Sequence, residues 1–268
     1  IFEKDDGWYG YIDFTGAGPT GQGGDRVMSR KMREIPSLRE FSASLHQHAH
    51  MYRVPQGRMI FEIRVTGAPV FKDLNGILNR SAGDCEARGA YIHVHDFIPA
   101  ARNLPFASRY EIASKVVSQL QHGRVFLAPI IGIGTPTTMK LHFDDIVSRG
   151  GEGVIGKNPE APYQEGKRNC NLLKIKEEVT LELKVIGVEA GRTGTKYART
   201  LGKIVCVDSK GIEHPLSGMS DEERDLWWEN PLLIIGQVIQ AKAMKVLSNG
   251  SLREGRYECI RHDKSEID

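Results

Sequence analysis

The stretch Met59-Ile60-Phe61-Glu62-Ile63-Arg64-Val65 is dominated by β-branched and aromatic residues, which favour an extended backbone. It predicts a strand over residues 58–66. Stretches of similar character predict three more strands, at residues 9–14, 25–31 and 90–97. The glycine-rich residues 15–25 lack the glycine–lysine pattern of a phosphate-binding loop, so we expect a flexible loop between two of these strands.

Helical spacing of apolar residues appears between the predicted strands. It predicts helices at residues 35–50, 108–121 and 138–148, where apolar side chains recur every three or four positions. Strand-like runs return at residues 124–131, 152–157 and 171–176. Because helices and strands interleave in this way, we expect residues 1–177 to form an α+β domain with antiparallel sheets.

The pattern changes after Lys176. Short alternating runs, separated by turns that contain glycine and serine, follow at residues 179–188, 204–207, 234–245 and 257–261. Ser220, followed by acidic residues, predicts the start of one short helix over residues 220–228. About five strands in a segment of this length suit a small Greek-key barrel of the oligonucleotide-binding type. We therefore predict an OB-fold β-barrel over residues 178–268.

The composition is that of an ordinary globular protein. Of the 268 residues, 40% are hydrophobic and 26% are charged, and the net charge of +2 is too small to indicate a nucleic-acid partner by itself. No run approaches the roughly 18 consecutive apolar residues of a membrane span, and no signal peptide is visible. The first residue is Ile1 rather than Met, which is consistent with the loss of an upstream segment, a targeting segment included.

The cysteines favour a cytoplasmic protein with reduced thiols. They are widely separated and lack the paired spacing of metal ligands, at positions Cys85, Cys170, Cys206 and Cys259. Such scattering is not the framework of a disulfide-bonded domain. We therefore expect an intracellular location.

Lys4 is the candidate nucleophile, in the sequence Lys4-Asp5-Asp6-Gly7. A lysine amine can attack the α-phosphate of a nucleoside triphosphate once partial desolvation and nearby positive charge lower its pKa. Lys174 and Lys176 alternate along a predicted strand, so their side chains share one face and could supply that charge while holding phosphate. The alternative is a solvated surface lysine beside an Asp-Asp-Gly turn.

Glu62 and Glu152 are candidate metal ligands. Glu62 lies among apolar residues of a predicted strand, and Glu152 lies between glycines just before another strand. Mg²⁺ usually takes one or two protein oxygens and shares its other positions with phosphate and water. The alternative is that both carboxylates are solvent-exposed acids on the surface of a sheet.

His46, His48 and His50 form an alternating trio. On the predicted helix His46 and His50 lie one turn apart, but no cysteine or further nearby histidine completes a zinc site. We therefore expect exposed imidazoles, or imidazoles that face nucleic acid.

The end of the chain is dense in cations, in Arg253-Glu254-Gly255-Arg256-Tyr257 and Arg261-His262-Asp263-Lys264. A solvated basic tail is the commoner outcome for such runs. On a mobile barrel domain, the same residues could reach over a nucleotide and orient the departing pyrophosphate when the domains close.

The order of these residues resembles that of the ATP-dependent DNA ligases, within the covalent nucleotidyltransferase superfamily. The resemblance spans most of the chain and is strongest to minimal, bacteriophage-like enzymes that have an adenylation domain and an oligonucleotide-binding barrel. The matching elements are Lys4-Asp5-Asp6-Gly7, Ser29-Arg30, Glu62, Glu152-Gly153-Val154, Lys174-Ile175-Lys176 and Arg261-His262-Asp263-Lys264. Tyr9 departs from the pattern, since an arginine is usual there, and His95 replaces the usual Phe or Tyr that stacks on adenine.

The resemblance implies a role for each matched residue. Lys4 would carry AMP and Asp6 would act at the nick, with the full catalytic set being Lys4, Asp6, Lys174 and Lys176. Metal ions would be held by Glu62 and Glu152. His95 and Ile155 would pack on the two faces of adenine, within a nucleotide-binding set of Glu3, Lys4, Glu62, His95, Ile155, Lys174, Lys176, Arg261 and Lys264. The residues expected to contact DNA are Arg30, Arg253 and Arg256.

The activity that the resemblance implies is ATP-dependent sealing of 5′-phosphate/3′-hydroxyl nicks in duplex DNA, through lysyl-AMP and DNA-adenylate. The implied cofactors are ATP and Mg²⁺ or Mn²⁺, and the implied partner is nicked double-stranded DNA clamped by a monomer, without a membrane. An RNA ligase and an mRNA-capping guanylyltransferase share this chemistry and are the enzymatic alternatives. The non-enzymatic alternative is a catalytically silent nucleic-acid-binding OB module.

Overall fold

The chain divides at the end of a strand into two units, Ile1–Ile175 and Lys176–Asp268. The predicted boundary between residues 177 and 178 lies next to this division. The computed structural model describes residues 1–14, 26–67, 71–79, 89–101, 103–166, 170–247 and 249–267. The loop predicted at residues 15–25 and the thiol of Cys85 therefore lie outside the described residues.

Strands and helices interleave in the first unit, as its sequence predicts. The strands are β1 (Phe2–Glu3), β2 (Trp8–Phe14), β3 (Met28–Ser29), β4 (Gly57–Val65), β5 (Ala90–Pro99), β6 (Val125–Leu127), β7 (Gly153–Lys157) and β8 (Leu172–Lys176). The helices are a 3₁₀ turn at Pro36–Leu38, α1 (Arg39–Met51), α2 (Phe71–Leu78), α3 (Phe106–Leu120) and α4 (Pro136–Ser148). Five strands form one sheet in the order β3-β2-β4-β5-β6, and β1-β7-β8 form a second sheet.

Alternation along β4 separates a core face from a polar face of the larger sheet. Its core residues are fully or almost fully buried, and they are Met59, Phe61, Ile63 and Val65. They pack with apolar residues of α1 and α3, such as Phe41 and Val116. Burial of each large apolar side chain contributes about 2 kcal/mol, so this face holds the sheet against the helices. The intervening residues, which include Glu62 and Arg64, consequently lie on the opposite face.

A β-bulge in β5 adds two polar residues to that opposite face. The register with β4 pairs Ile60 with Asp96 and Phe61 with Val94, so His95 is the extra residue. A bulge shifts the alternation of side chains along its strand. Phe97, rather than Asp96, is therefore the next β5 residue in the core after Val94. His95 and Asp96 both lie on the face that carries Glu62.

The second unit is an antiparallel sheet with one helix. Its strands are β9 (Val179–Ala190), β10 (Leu201–Val207), β11 (Glu213–Leu216), β12 (Val238–Ala243), β13 (Lys245–Val246), β14 (Leu252–Arg253) and β15 (Arg256–Ile260). The main sheet has the order β11-β10-β9-β12-β15. Among the described residues of this unit, a single parallel bridge between Ser217 and Arg256 links the two edges of the sheet.

The predicted helix of the second unit is α5 (Asp221–Glu229), followed by a 3₁₀ turn at Pro231–Leu233. Ser220 and Glu223 form a reciprocal capping box, in which the Glu223 N–H donates to Ser220 Oγ over 3.2 Å. Such a cap contributes about 1 kcal/mol. The predicted α+β class with antiparallel sheets is confirmed.

Several predicted elements were wrong in extent. The strand predicted at residues 25–31 is limited to Met28–Ser29 among the described residues, and that at 124–131 ends at Leu127, shortly before Pro129. The strand predicted over residues 234–245 is instead β12 and β13, because a turn at residues 234–236, which includes Gly236 with φ of +88°, occupies its start. The helix α2 and the strands β1, β11 and β14 were not predicted. Within the described part of the chain, no helix has the length and apolarity needed to cross a membrane.

Candidate active site

Lys4 and Glu152 meet because β1 and β7 are paired. Glu3 lies opposite Val154, and the Lys4 N–H donates to the Gly153 carbonyl over 2.8 Å. This register brings Lys4 Nζ to 2.5 Å from Glu152 Oε1, with the two side chains 17% and 7% exposed. Lys4 is therefore not a solvated surface lysine. The other carboxylate oxygen, Glu152 Oε2, is buried and has no hydrogen-bond donor among the described residues.

The residues after Lys4 are fixed to the larger sheet. Asp5 Oδ2 lies 2.5 Å from His93 Nδ1, and its other oxygen lies 3.2 Å from Arg64 Nη1. The same Arg64 nitrogen donates to the Asp6 carbonyl over 2.8 Å. A Cβ at Gly7 would lie 2.8 Å from the Ile63 carbonyl oxygen, so glycine is required for this close approach. The Asp-Asp-Gly segment is thus a docked element rather than a free surface turn.

Glu62 lies on the polar face of β4, opposite Tyr9 on β2 and His93 on β5. Burial, and then the negative charge of Asp5, raise the pKa of the Glu62 carboxyl to about 7. The positive charges of Arg30, Lys174 and Lys4 oppose that rise, which shows that they are near Glu62. Glu62 is therefore a carboxyl that can change protonation close to neutral pH.

Lys174 on β8 belongs to the same group of charges. Burial lowers the pKa of its ammonium, and the positive charges of Arg30 and Lys4 lower it further. Lys176 begins the second unit and pairs there with Glu254. The structure thus brings Lys174 to the group around Lys4, whereas the matching role of Lys176 stays a prediction.

Arg30 is held against Tyr9, the residue that departs from the resemblance. The Arg30 guanidinium lies 4.9 Å from the centre of the Tyr9 ring, a cation–π contact. The Tyr9 side chain is hydrogen-bonded to Tyr163, and burial raises the pKa of the Tyr9 phenol, which stays uncharged. The predicted contact of Arg30 with DNA is not tested, but its charge acts on Glu62 and Lys174.

His95 contacts a residue that the sequence analysis missed. Lys157 Nζ donates to the His95 carbonyl over 2.9 Å and lies 3.4 Å from His95 Nδ1. Burial, more than any neighbouring charge, lowers the pKa of Lys157 to about 8. Burial and the charge of Lys157 also lower the pKa of His95. The signal that could have identified Lys157 is its position in β7, a short strand of otherwise uncharged residues that follows Glu152 directly.

A buried ion pair adjoins this contact and was also missed. Arg109 Nε and Nη2 donate to the two Asp96 oxygens over 2.8 and 3.0 Å, and Nη1 donates to the carbonyls of Leu104 and Ala161. Bidentate pairs of this kind have a fixed geometry. Arg109 therefore anchors the end of β5 to the loop before α3 and to the loop that follows β7.

The remaining predicted residues of the first unit lie in different settings. Glu3 is exposed, and its Oε2 lies 3.7 Å from Arg149 Nη2. Ile155 is half-buried in β7, opposite Phe2. Asp6 is half-buried beside the sheet. None of these positions tests the nucleotide or nick contacts expected of Glu3, Ile155 and Asp6, which stay predictions.

Three of the four predicted cations at the end of the second unit are shown paired with carboxylates. Arg261 and Lys264 both contact Glu182, the latter over 2.7 Å, and Arg261 also pairs with Asp263. Arg256 pairs with Glu178, and Arg253 lies opposite Lys245 in the small sheet. Their expected roles toward ATP and DNA stay predictions.

The expectation for the histidine trio was wrong at two positions. His46 is only 4% exposed and lies edge-on to the Phe14 ring, and His48 Nδ1 is 2.8 Å from the Leu120 carbonyl oxygen. These imidazoles face the sheet and α3 because α1 packs through this side; only His50 of the trio is exposed. Among the described residues, no group of three or more His, Cys, Asp or Glu side chains could hold a metal ion.

Comparison with known sequences confirms the resemblance. The family described as the ATP dependent DNA ligase domain matches residues 80–176. The DNA ligase of Methanosphaerula palustris is 34% identical over 213 residues, which cover 74% of this chain and 37% of that protein. The DNA ligase of Enterobacteria phage T4 is 26% identical over 204 residues, covering 70% of this chain and 41% of that protein. The chain thus spans less than half the length of these relatives.

Solved structures share the fold. A structure described as "DNA binding with a minimal scaffold: Structure-function analysis of Lig E DNA ligases" matches with a TM-score of 0.74 and 20% identity, over 97% of this chain and 91% of that chain. The ATP-dependent DNA ligase of bacteriophage T7, in complex with ATP, matches with a TM-score of 0.55 and 16% identity, also over 97% and 91%. The solved structures bear out the predicted fold, and the sequence matches bear out the resemblance to ATP-dependent DNA ligases.

Proposed function

We propose that this chain, which resembles the ATP-dependent DNA ligases, seals 5′-phosphate/3′-hydroxyl nicks in duplex DNA with ATP. The observation that carries the proposal is the Lys4 amine, held 2.5 Å from a buried carboxylate of Glu152. Glu62, Lys174 and Arg30 lie close enough to influence one another's charge. A covalent nucleotidyl-transfer site needs this combination of one nucleophile, carboxylates and further cations.

The first step forms a bond between Lys4 and AMP. Lys4 Nζ must lose a proton before it attacks, and Glu152 Oε1 is within reach to accept it. The nitrogen then bonds to the α-phosphorus of ATP as the bond to the pyrophosphate oxygen breaks. Lys174 and Arg30 supply positive charge for the phosphate oxygens in this transition state.

The second and third steps transfer AMP to the DNA and then release it. A 5′-phosphate oxygen attacks the AMP phosphorus, which breaks the bond to Lys4 and forms DNA-adenylate. The 3′-hydroxyl next attacks the 5′-phosphorus, the bond from that phosphorus to AMP breaks and AMP leaves, and the hydroxyl proton passes to solvent. Asp6 is the residue that we assign to the nick in these steps. Positioning and charge neutralisation would supply most of the catalysis.

The donor set fits a divalent cation. Glu152 Oε2 is a buried oxygen without a donor among the described residues, and Glu62 is a second carboxylate near Lys4. We assign Mg²⁺ or Mn²⁺ to these two residues, because Mg²⁺ commonly takes only one or two protein oxygens beside phosphate. When bound, the ion supplies neutralisation of the phosphate oxygens.

The DNA is proposed to be bound mainly through its phosphates, by a monomer. Arg30, Arg253 and Arg256 are the candidates for these contacts, and Arg261 and Lys264 are assigned to the ATP step alone. Phosphate contacts position a duplex without reading its sequence, so sealing should depend little on sequence and strongly on salt.

The proposal is tested by labelling with α-labelled ATP or GTP and then adding nicked duplex DNA. We expect an acid-labile label from ATP that is absent from Lys4→Ala. The label should be retained in Lys140→Ala, a control at a lysine whose side chain is 74% exposed. The labelled chain should then seal a DNA nick. If only GTP labels the protein, the result would instead indicate a capping enzyme. If the protein prefers RNA ends to a DNA nick, the result would indicate an RNA ligase. A chain that neither takes label nor seals a pre-adenylated nick would contradict the proposal.

A further inference from the structure

Lys157 is enclosed in an apolar setting that is unusual for an ammonium group. It lies on β7, five residues after Glu152, and its Nζ is 5.1 Å from the centre of the Phe2 ring and 4.4 Å from that of Phe106. Cation–π contacts offset part of the cost of burial. The remaining polar contacts of Nζ are directed to His95. The geometry therefore couples Lys157 to His95.

The contact with Lys157 determines which ring nitrogen of His95 carries a proton. A lysine ammonium has three N–H donors and no acceptor. With the Lys157 ammonium 3.4 Å from His95 Nδ1, a lone pair on that nitrogen is favoured over a proton. In that arrangement the His95 proton lies on Nε2 and the ring is neutral.

The other cations around His95 act in the same direction as Lys157. Lys174 on β8 and Arg30 after β3 both disfavour a positive charge on the imidazole, as Lys157 does. The adjacent Asp96 carboxylate is already engaged by Arg109, and Glu62 acts on Lys157 from β4. The β-bulge keeps His95 on the face of the sheet that carries Glu62. His95 is thus a neutral ring bordered by the cations of the candidate nucleotide site.

We propose that Lys157 is a positioning residue that holds His95 in its neutral Nε2–H tautomer, so that an uncharged ring contacts the purine base of the nucleotide. This inference rests on the proposed function, since it assigns His95 to the base. The hydrogen bond from Lys157 Nζ to the His95 carbonyl holds the backbone at the bulge. The contact of Lys157 Nζ with His95 Nδ1 selects the tautomer of the ring. Lys157 acts through His95 and does not itself touch the reacting phosphate.

The tautomer is tested directly by long-range ¹H–¹⁵N NMR of the ¹⁵N-histidine-labelled protein at pH 6.5. The His95 signals are assigned by their absence from His95→Phe. We expect the Nε2–H pattern in the wild-type protein and in Lys115→Met, a control at an exposed position of α3. Lys157→Met should give a tautomer mixture or an imidazolium. A wild-type His95 that is protonated on Nδ1 would overturn the inference without any variant.

A double-mutant cycle tests the consequence for nucleotide binding. We expect Lys157→Met to raise the KM for ATP in the labelling reaction about tenfold, the effect of losing one charge-assisted hydrogen bond, with kcat little changed. In the His95→Phe background the same substitution should change KM little, because no tautomer remains to be set. Equal effects in both backgrounds would show a merely structural role and overturn the inference.

The two proposals fail in distinguishable ways. If the protein takes no label from ATP, the proposed function fails, while the NMR result still reports the tautomer. If labelling proceeds normally but His95 is charged or protonated on Nδ1, the ligase proposal stands and the role of Lys157 is wrong.

Discussion

The group around Lys4 and the cations of the second unit use the same residue types in different surroundings. Lys4 and Glu152 are 17% and 7% exposed, whereas Arg261, Lys264 and Glu182 are 24%, 25% and 20% exposed and form a network open to solvent. In the first unit, burial shifts the pKa of Glu62, Lys157 and Lys174 toward their neutral forms. In the second unit, the pKa of Arg261 is raised instead, chiefly by its hydrogen bond to Asp263.

The difference in burial separates side chains that can exchange protons near neutral pH from side chains that stay charged. A buried amine or carboxyl exchanges protons near neutral pH, because low polarity disfavours its charged form. An exposed arginine paired with a carboxylate stays charged and contributes little to stability. The first unit thus holds groups suited to proton transfer, whereas the cations of the second unit stay charged in reversible ion pairs.

Breaking the buried Lys4–Glu152 pair should cause the greatest loss in the free energy of unfolding. Glu152→Gln leaves the Lys4 ammonium without its counter-charge, and we expect a loss of about 3 kcal/mol in the free energy of unfolding, measured in urea. Asp144→Asn breaks the exposed pair with Lys140, whose side chains are 74% and 53% exposed, and should cost about 0.5 kcal/mol. Comparable losses in the two variants would show that burial does not distinguish the regions.

A double variant tests whether the loss of stability in Glu152→Gln comes from the unpaired charge of Lys4. Lys4→Met with Glu152→Gln removes both charges, so it should recover much of the stability that Glu152→Gln alone loses. If the double variant is as unstable as the sum of its single variants, then the two side chains do not interact as the structure indicates.

The second effect is a pH dependence that belongs to Glu62. Its pKa is about 7 in the folded chain against a model-peptide value of 4.5, so the folded state holds a proton that the unfolded state releases. Binding of this proton stabilises the folded state fully below about pH 4.5. The stabilisation is lost as the pH rises to about 7, and stability changes little above that pH. Glu62→Gln should therefore be more stable than the wild type at pH 8, by up to about 3 kcal/mol, and nearly equal at pH 4.5.

The measurement is urea unfolding of the nucleotide-free protein in a chelator across this pH range. Glu111→Gln, at an exposed position on α3, is the matched control and should differ from the wild type by a constant amount. If the difference in free energy of unfolding between Glu62→Gln and the wild type does not vary with pH, then the Glu62 carboxyl titrates normally.

The smallest effect is expected in the second unit. Glu182→Gln weakens the contacts of Arg261 and Lys264, yet these are solvent-accessible, so we expect a loss below about 1 kcal/mol that shrinks as salt is added. Thermal unfolding at low and high salt measures it. A large, salt-independent loss would place Glu182 among the buried pairs and remove the contrast between the units.

Local sequence patterns were sufficient for most strands and helices of both units. The alternation in β4 and the spacing of Leu38, Phe41 and Leu45 predicted which side chains are buried, since periodicity is a local property. Ser220 likewise predicted the start of α5 through a local cap.

The bulge at His95 and the contact with Lys157 could not be predicted in this way. A bulge depends on the register between two strands, and the partner of Lys157 is 62 residues away in the sequence. The burial of His46 and His48 depends on which face of α1 packs against the rest of the unit. Order along the chain therefore predicted candidate residues, but not their protonation or their contacts.

We propose that Lys4, and no other lysine, carries the nucleotide. Tandem mass spectrometry of the ATP-treated protein, digested under conditions that preserve phosphoramides, locates the adenylate directly. We predict a single adenylated peptide that contains Lys4, absent from Lys4→Ala and present in Lys140→Ala. An adenylate on Lys174 or Lys157, or adenylation that persists in Lys4→Ala, would contradict the account.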